Sequence, residues 1–318
     1  MAARVFAAAT LLAVLGGTAG CTCRTGMLGG ADSGGGPAAD GGGGGGTDAA
    51  SGDVRDDPVA MCARWSGDRA TLTEGTWSGD LATCTPGDIS ADGRDSALRL
   101  VNLYRWLARL PGVDHEASRD SDAQACALLM NANGMLSHTP PPTWTCYTTA
   151  GANGAGSSNI AAYPGVLAVD VYMADYGNDT TIGHRRWILA NSTGPVGLGS
   201  TSSFSCLQVI GGTGNAGAAW TAWPPPGPIP LEAASMLDTT GWTIQSDTID
   251  LSAAAATVTA GGAPRAVTVV QLLGGYGSAS AINLLPSGWI AQAGMTYHVE
   301  VTGVAAPISY DVDVVDCP

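Results

Sequence analysis

Apolar residues recur at helical spacing over Ala97, Leu100, Val101, Tyr104 and Leu107, just after Asp95 and Ser96, either of which can cap a helix. Pro111-Gly112 then stops it. The same spacing predicts a second helix over residues 121–135, with Ala123, Cys126, Ala127 and Met130 on one face and Gly134 near its end. A third helix is expected over residues 166–176 and a short fourth from His184. Beyond Ser205 the period drops to two. Thr296, His298, Glu300 and Thr302 alternate with Tyr297, Val299 and Val301, and Asp311 and Asp313 alternate with Tyr310, Val312 and Val314, the signature of half-buried strands. Runs at residues 256–260 and 266–273, separated by Gly-rich turns, add further strands. The pattern predicts an α+β chain: a helix-rich domain at residues 93–212, then a small all-β sandwich of immunoglobulin-like type at 213–318, with the proline run 224–226 marking the boundary.

Composition sharpens the picture at the N-terminus. With 318 residues, 45% of them apolar, the chain can supply more than one core. Arg4 precedes an apolar run at residues 5–15, too short to span a bilayer, and Gly17, Thr18, Ala19 and Gly20 lead into Cys21. Residues 1–20 read as a signal peptide and Cys21 as a lipid-attachment site of lipobox type. Residues 21–56 then form the anchor and a tether. They are dominated by Gly, Ala, Asp and Ser, and cannot bury enough apolar surface to fold. Such a linker has a mean reach of roughly 30 Å. Its glycine run at 41–46 is not a phosphate loop, since no strand precedes it and no Lys follows. Residues 57–92 hold Cys62, Cys84 and two Trp without clear period, and are expected to form a disulfide-closed extension.

Export places the cysteines in an oxidising compartment, where they are read first as disulfide partners. Proximity along the chain suggests Cys62 with Cys84, Cys126 with Cys146 and Cys206 with Cys317, leaving Cys23 over. The net charge of −14 argues against binding nucleic acid or an anionic membrane surface.

Candidate chemistry lies in the helix-rich region. Four segments occur in order: Val101-Asn102-Leu103-Tyr104-Arg105, Leu136-Ser137-His138-Thr139, Ser158-Asn159-Ile160-Ala161 and Gly183-His184-Arg185-Arg186-Trp187-Ile188-Leu189, trailed by the glycine-bearing stretch 194–199. Together they resemble the bacterial branch of the CAP superfamily, the secreted proteins related to cysteine-rich secretory, antigen 5 and pathogenesis-related proteins. The resemblance covers residues 97–209. It implies an α-β-α sandwich in which His138 and His184 share a central cleft. Two neutral imidazoles there could ligate a divalent ion, most naturally Zn2+. Ser158 stands where the family carries Glu, with Asn159 after it, and the second family acid falls at Ala174 or Asp175, with Asp179 as a possible substitute. Of the other polar groups, His115 is expected in a solvated loop and His298 on the polar face of a strand. Arg185 and Arg186 are expected to pair with Asp175 or Asp179, and Trp187 and Ile188 to lie in the core.

Gly-x-Ser-x-Gly, His-Glu-x-x-His, Walker and Cys-x-x-Cys spacings are absent from the sequence. The leading expectation is an exported lipoprotein at the cell surface or in the periplasm, held to the membrane by its lipid. Its cleft would bind a small ligand, apolar or polar, or an envelope component, without catalysis. The alternative is a His-dependent, metal-dependent or metal-free hydrolase of peptides or cell envelope using His138, His184 and Asp175. A third is an adhesion module in which the His pair is idle.

Overall fold

The computed structural model describes residues 53–318. The expected signal peptide, Cys21, Cys23 and the tether as far as residue 52 lie outside the described residues. The first helix, α1 (Pro58–Arg69), starts where Asp57 accepts the Val59 amide at 2.9 Å and Pro58 occupies the first turn. It lies in the extension expected over residues 57–92, which is not closed on itself, since Cys62 and Cys84 pair with Cys317 and Cys146. The cap signals were present, but only Met61, Cys62 and Trp65 are buried, too narrow a seam to show as a period. The rest of that segment is irregular, with isolated antiparallel bridges between Trp77 and Ile89 and between Asp80 and Thr85.

Helix α2 (Ala91–Leu107) begins ahead of the expected cap. Ser96 is buried, and its Oγ accepts the Thr73 amide at 3.2 Å instead of capping a helix. Helix α3 (Ala117–Asn133) likewise starts early and ends at Gly134, whose left-handed φ of 60° gives the expected stop. Helix α4 (Thr149–Gly156) was not legible, because its sequence is glycine-rich and a poor helix former. Packing explains it: a Cβ at Gly154 would lie 2.3 Å from the Asp122 carbonyl oxygen, so α4 lies directly on the backbone of α3.

Strand β1 (Ser158–Ala161), helices α5 (Gly165–Ala174) and α6 (Gly183–Ile188), and strands β2 (Gly197–Ser200) and β3 (Ser205–Gln208) follow. The strands form an antiparallel sheet in the order β1-β3-β2. On one face α3 and α4 enclose Ala127, Met130, Ala155 and Ile160. On the other, α2 and α5 pack Leu100, Tyr104 and Val169 against Leu198 and Leu207. The sheet therefore lies between helical layers.

The remaining elements are β4 (Thr221–Trp223), β5 (Gly227–Pro230), α7 (Leu231–Ser235), β6 (Trp242–Ser246), β7 (Ala255–Ala260), β8 (Ala263–Arg265), β9 (Val267–Gln271), β10 (Ser280–Pro286), β11 (Thr296–Thr302) and β12 (Ile308–Val315). They build two facing sheets, ordered β4-β6-β10-β9 and β5-β12-β11-β7-β8. The predicted alternation is visible in β11, where Tyr297, Val299 and Val301 are buried and their neighbours exposed. Trp242 meets Tyr297 edge-to-face between the sheets at 5.5 Å. The proline-rich segment enters the sheet as β5, an edge strand pairing parallel with β12, the position where a strand tolerates missing amide donors. The architecture is α+β, with a β-sandwich at its C-terminal end. Residues 53–318 lie in one compact unit, and the boundary expected at 212/213 falls inside it.

Among the described residues three disulfides form, and their connectivity corrects the pairing expected from proximity: Cys62–Cys317, Cys84–Cys146 and Cys126–Cys206. Neighbours in sequence are not neighbours in space here. Cys126 on α3 faces β3, which brings Cys206, and Cys62 on the buried side of α1 faces the C-terminus. Disulfides of this number mark an oxidising, exported compartment. Among the described residues no helix is long and apolar enough to cross a membrane.

Candidate functional site

Strand β1 and helix α6 supply the floor of the site. The Asn159 amide donates to the His184 carbonyl at 2.9 Å, and Tyr172 donates to the Asn159 carbonyl at 3.1 Å, so β1, α5 and α6 hold one another. The Tyr172 ring is tilted against that of His184 at 5.2 Å. His138 comes from the loop after α3 and is anchored through Nδ1 to the Ala155 carbonyl at 2.9 Å. A carbonyl only accepts, so His138 carries its proton on Nδ1 and Nε2 is left unprotonated in the neutral ring.

His184 is held similarly, by a carboxylate. Asp175, whose side chain is fully enclosed, accepts from His184 Nδ1 at 2.9 Å and from Asn178 Nδ2 at 2.6 Å on one oxygen, and from the Arg185 amide at 3.2 Å on the other. The backbone is strained to achieve this. Asp175 has φ 59° and Ile182 φ 42°, both in the left-handed region that residues with a Cβ rarely adopt. The two strained residues bracket the loop that delivers Asn178, Thr180 and Thr181, and strain of this kind concentrates at functional sites.

These residues surround one cavity of about 420 Å³, within the range of small-molecule sites. His138, His184, Ser158 and Asn159 all line it. Asp175 does not; it stands behind His184 as the group that orients the ring. Ser158 is 1% exposed, and among the described residues its Oγ has no hydrogen-bond partner. Ser157, by contrast, is spent on structure, donating to the Asn153 carbonyl at 2.7 Å and accepting from Gln208 at 2.8 Å. Trp187, expected in the core, is half-buried and lines the cavity, whereas Ile188 is fully buried. Asn178, Thr180, Thr181 and Tyr276 were missed. Asn178 alone had a local signal, three residues beyond Asp175; Tyr276 is too distant in sequence to have one.

No match for this chain emerges among family models, curated proteins or solved structures. The site must be read from its own geometry.

The donor set does not suit the Zn2+ that the CAP resemblance suggested. Both Nδ1 atoms are occupied, Asp175 is committed to His184, Asn178 and Arg185, and the remaining donors at the cavity are two Nε2 atoms. Among the described residues no group of three His, Cys, Asp or Glu could hold a metal ion. A catalytic zinc keeps three protein ligands.

Arg185 and Arg186 depart from expectation as well. Neither guanidinium pairs with an acid. That of Arg185 donates to the carbonyls of Met173, Ala174 and Gly241 at 2.6, 3.0 and 2.8 Å and to Thr240 Oγ1 at 2.8 Å. That of Arg186 donates to the carbonyls of Thr181 and Leu273 at 2.9 and 2.7 Å. Burial pulls both down to about 10. His115 is exposed, as expected, and meets Asp120 at 2.5 Å, away from the cavity. His298 does lie on the exposed face of β11, 2.7 Å from Asp311. Asp179 is exposed and does not line the cavity.

Proposed function

We propose that the protein is an exported lipoprotein of CAP type, anchored through Cys21, whose central cavity binds a small ligand without turning it over. The observation that carries this reading is the unpartnered Ser158 Oγ, buried in a cavity shared with two imidazoles whose Nδ1 atoms are already bonded. Burying a hydroxyl without a hydrogen bond costs about 1–3 kcal/mol. A χ1 rotation that brings Ser158 Oγ to the cavity surface would let a ligand bond it together with either Nε2 and recover that cost. Nucleophilic catalysis is less well served. The cysteines of the described residues are all in disulfides, and among those residues neither imidazole receives a hydrogen bond from a hydroxyl, the contact that activates a serine.

The test is native mass spectrometry of the protein purified without chelator, beside the His138→Ala, His184→Ala double variant. A small-molecule adduct present in the wild type and absent from the variant is expected. The same bare, disulfide-bonded mass in both would sink the proposal.

A second reading has one observation in its favour. Asp175 fixes His184 with its proton on Nδ1, so Nε2 is positioned as a general base that could activate water or a ligand hydroxyl. Hydrolysis of an envelope or peptide substrate that falls about a hundredfold in Asp175→Asn, with the fold intact, would favour this reading over simple binding.

A further inference from the structure

One wall of the cavity is not built by the helical half. The turn between β9 and β10, residues 272–279, reaches out of the sandwich and places Tyr276 in the lining. A Cβ built on Gly183 would stand 2.9 Å from Tyr276 Cδ1, so the ring lies directly on the residue preceding His184. The turn is fixed from below. Arg186 donates to the Leu273 carbonyl at 2.7 Å and to Ser278 Oγ at 3.0 Å, and the Leu273 amide donates to the Thr180 carbonyl at 3.0 Å. Tyr276 nevertheless keeps 39% of its surface exposed, so the ring is held in position yet available.

The lining has two kinds of group. Hydrogen-bonding side chains come from His138, Asn178, Thr180, Thr181 and His184. Aromatic and apolar surface comes from Tyr276, Trp187 and Ile210. Among the described residues no Asp, Glu or Arg lines the cavity, so an ionic ligand would find no permanent counter-charge there. A lipid chain would leave the polar groups unpaired. What fits both kinds of group is a neutral ring carrying several hydroxyl or amide groups at its edge and C–H groups on its face. We infer that the cavity takes a pyranose sugar residue, with Tyr276 of the β-sandwich as the aromatic wall that selects it. This rests on the cavity being the ligand site.

The experiment is NMR titration of the purified protein with methyl pyranosides of glucose, galactose, mannose and N-acetylglucosamine. The signals followed are the imidazole Cε1–H resonances of His138 and His184 and the ring resonances of Tyr276. At least one pyranoside should shift all three rings saturably. Tyr276→Ala should weaken that binding by about tenfold, the loss of one well-packed aromatic contact, while Tyr276→Phe retains it. Tyr163→Ala, which removes an exposed tyrosine outside the cavity, should leave it unchanged. An unaltered amide spectrum checks that each variant is folded. Undiminished binding by Tyr276→Ala overturns the aromatic wall. Shifts with decanoate or with N-acetylalanine amide, and with no pyranoside, overturn the sugar assignment and leave the binding reading standing. No shift with any of these probes, in a protein that also shows no adduct by mass, brings both down.

Discussion

A hydroxyl sealed from water without a partner is a burden on the folded state, and Ser158 carries one at a position with only 1% exposure. Replacing it with alanine removes the unpaired group and adds no cavity of consequence. Ser158→Ala should therefore match or exceed the wild-type melting temperature, by up to about 1 kcal/mol of stability, while losing ligand adducts. Thermal melts of ligand-free protein check this. A loss of more than about 1 kcal/mol would mean that Ser158 is bonded within the fold and is no ligand group. The residues at this site differ in how readable they were. His138, His184, Ser158 and Asn159 stood in motif order along the chain. The work of Asp175 did not, because its role depends on a left-handed backbone turn that aims the carboxylate back at His184. Tyr276 carried no local mark at all.

At the level of elements, legibility followed the strength of the apolar period. Helices α2 and α3 and strands β11 and β12 have wide, regular buried faces, and all appear where the pattern placed them, the two helices starting earlier. In α2 Ser96, a reasonable cap by type, lies inside the helix, where its Oγ accepts the Thr73 amide. Helices α1 and α4 were hidden for the reasons of seam width and glycine content already given, both cases of tertiary packing overriding local propensity. The joint between α6 and the β9–β10 turn is also tertiary, and it makes a prediction. Arg186→Met keeps the length of the stem but removes the donors to Thr181, Leu273 and Ser278. Leaving each of these buried acceptors unpaired should cost about 1–3 kcal/mol. Amide hydrogen exchange should accelerate first in residues 272–279; uniform acceleration throughout the chain would refute the clamp. The N-terminal turn, Val54–Asp56, offers a pH-dependent counterpart. The Arg55 guanidinium, bonded to both Asp53 oxygens at 2.8 Å and helped by Arg109, holds the Asp53 carboxyl down at about 2. A depressed carboxyl stabilises the fold above its unfolded value near 3.9 and loses that contribution as pH falls through about 2. Residues 53–57 should therefore loosen between about pH 4 and pH 2, earlier than the core. Limited pepsin cleavage over that window would show it, and equal resistance at both ends would not be compatible with the ion pair.

Across the whole molecule, the helical and β parts differ in architecture yet share one interior. Trp65 of α1, Tyr104 of α2 and Trp223 of β4 form an edge-to-face chain with ring separations of 5.9 and 5.4 Å, which carries the core from one part into the other. Polar contacts follow the same line: Trp65 Nε1 donates to Glu232 at 3.0 Å, and Arg109 donates to the Pro226 carbonyl at 3.2 Å. Domains joined by a linker and a modest polar interface can melt separately, but a continuous apolar interior couples them. The Cys62–Cys317 bridge adds a covalent tie between α1 and the end of the chain across 255 residues. In the chain-entropy account a loop of that length contributes on the order of 5 kcal/mol, and measured losses run from about 2 to 5. Calorimetry of the oxidised protein should accordingly show one endotherm whose calorimetric and van't Hoff enthalpies agree. Cys62→Ser with Cys317→Ser should lower its midpoint while keeping it single, because the Trp65–Tyr104–Trp223 interior survives the loss of the bridge. Two resolved endotherms in the oxidised protein would make the sandwich an independent folding unit. That result would also weaken the sugar-site inference, since a sandwich that melts first would withdraw Tyr276 from the cavity while His138 and His184 remained in place.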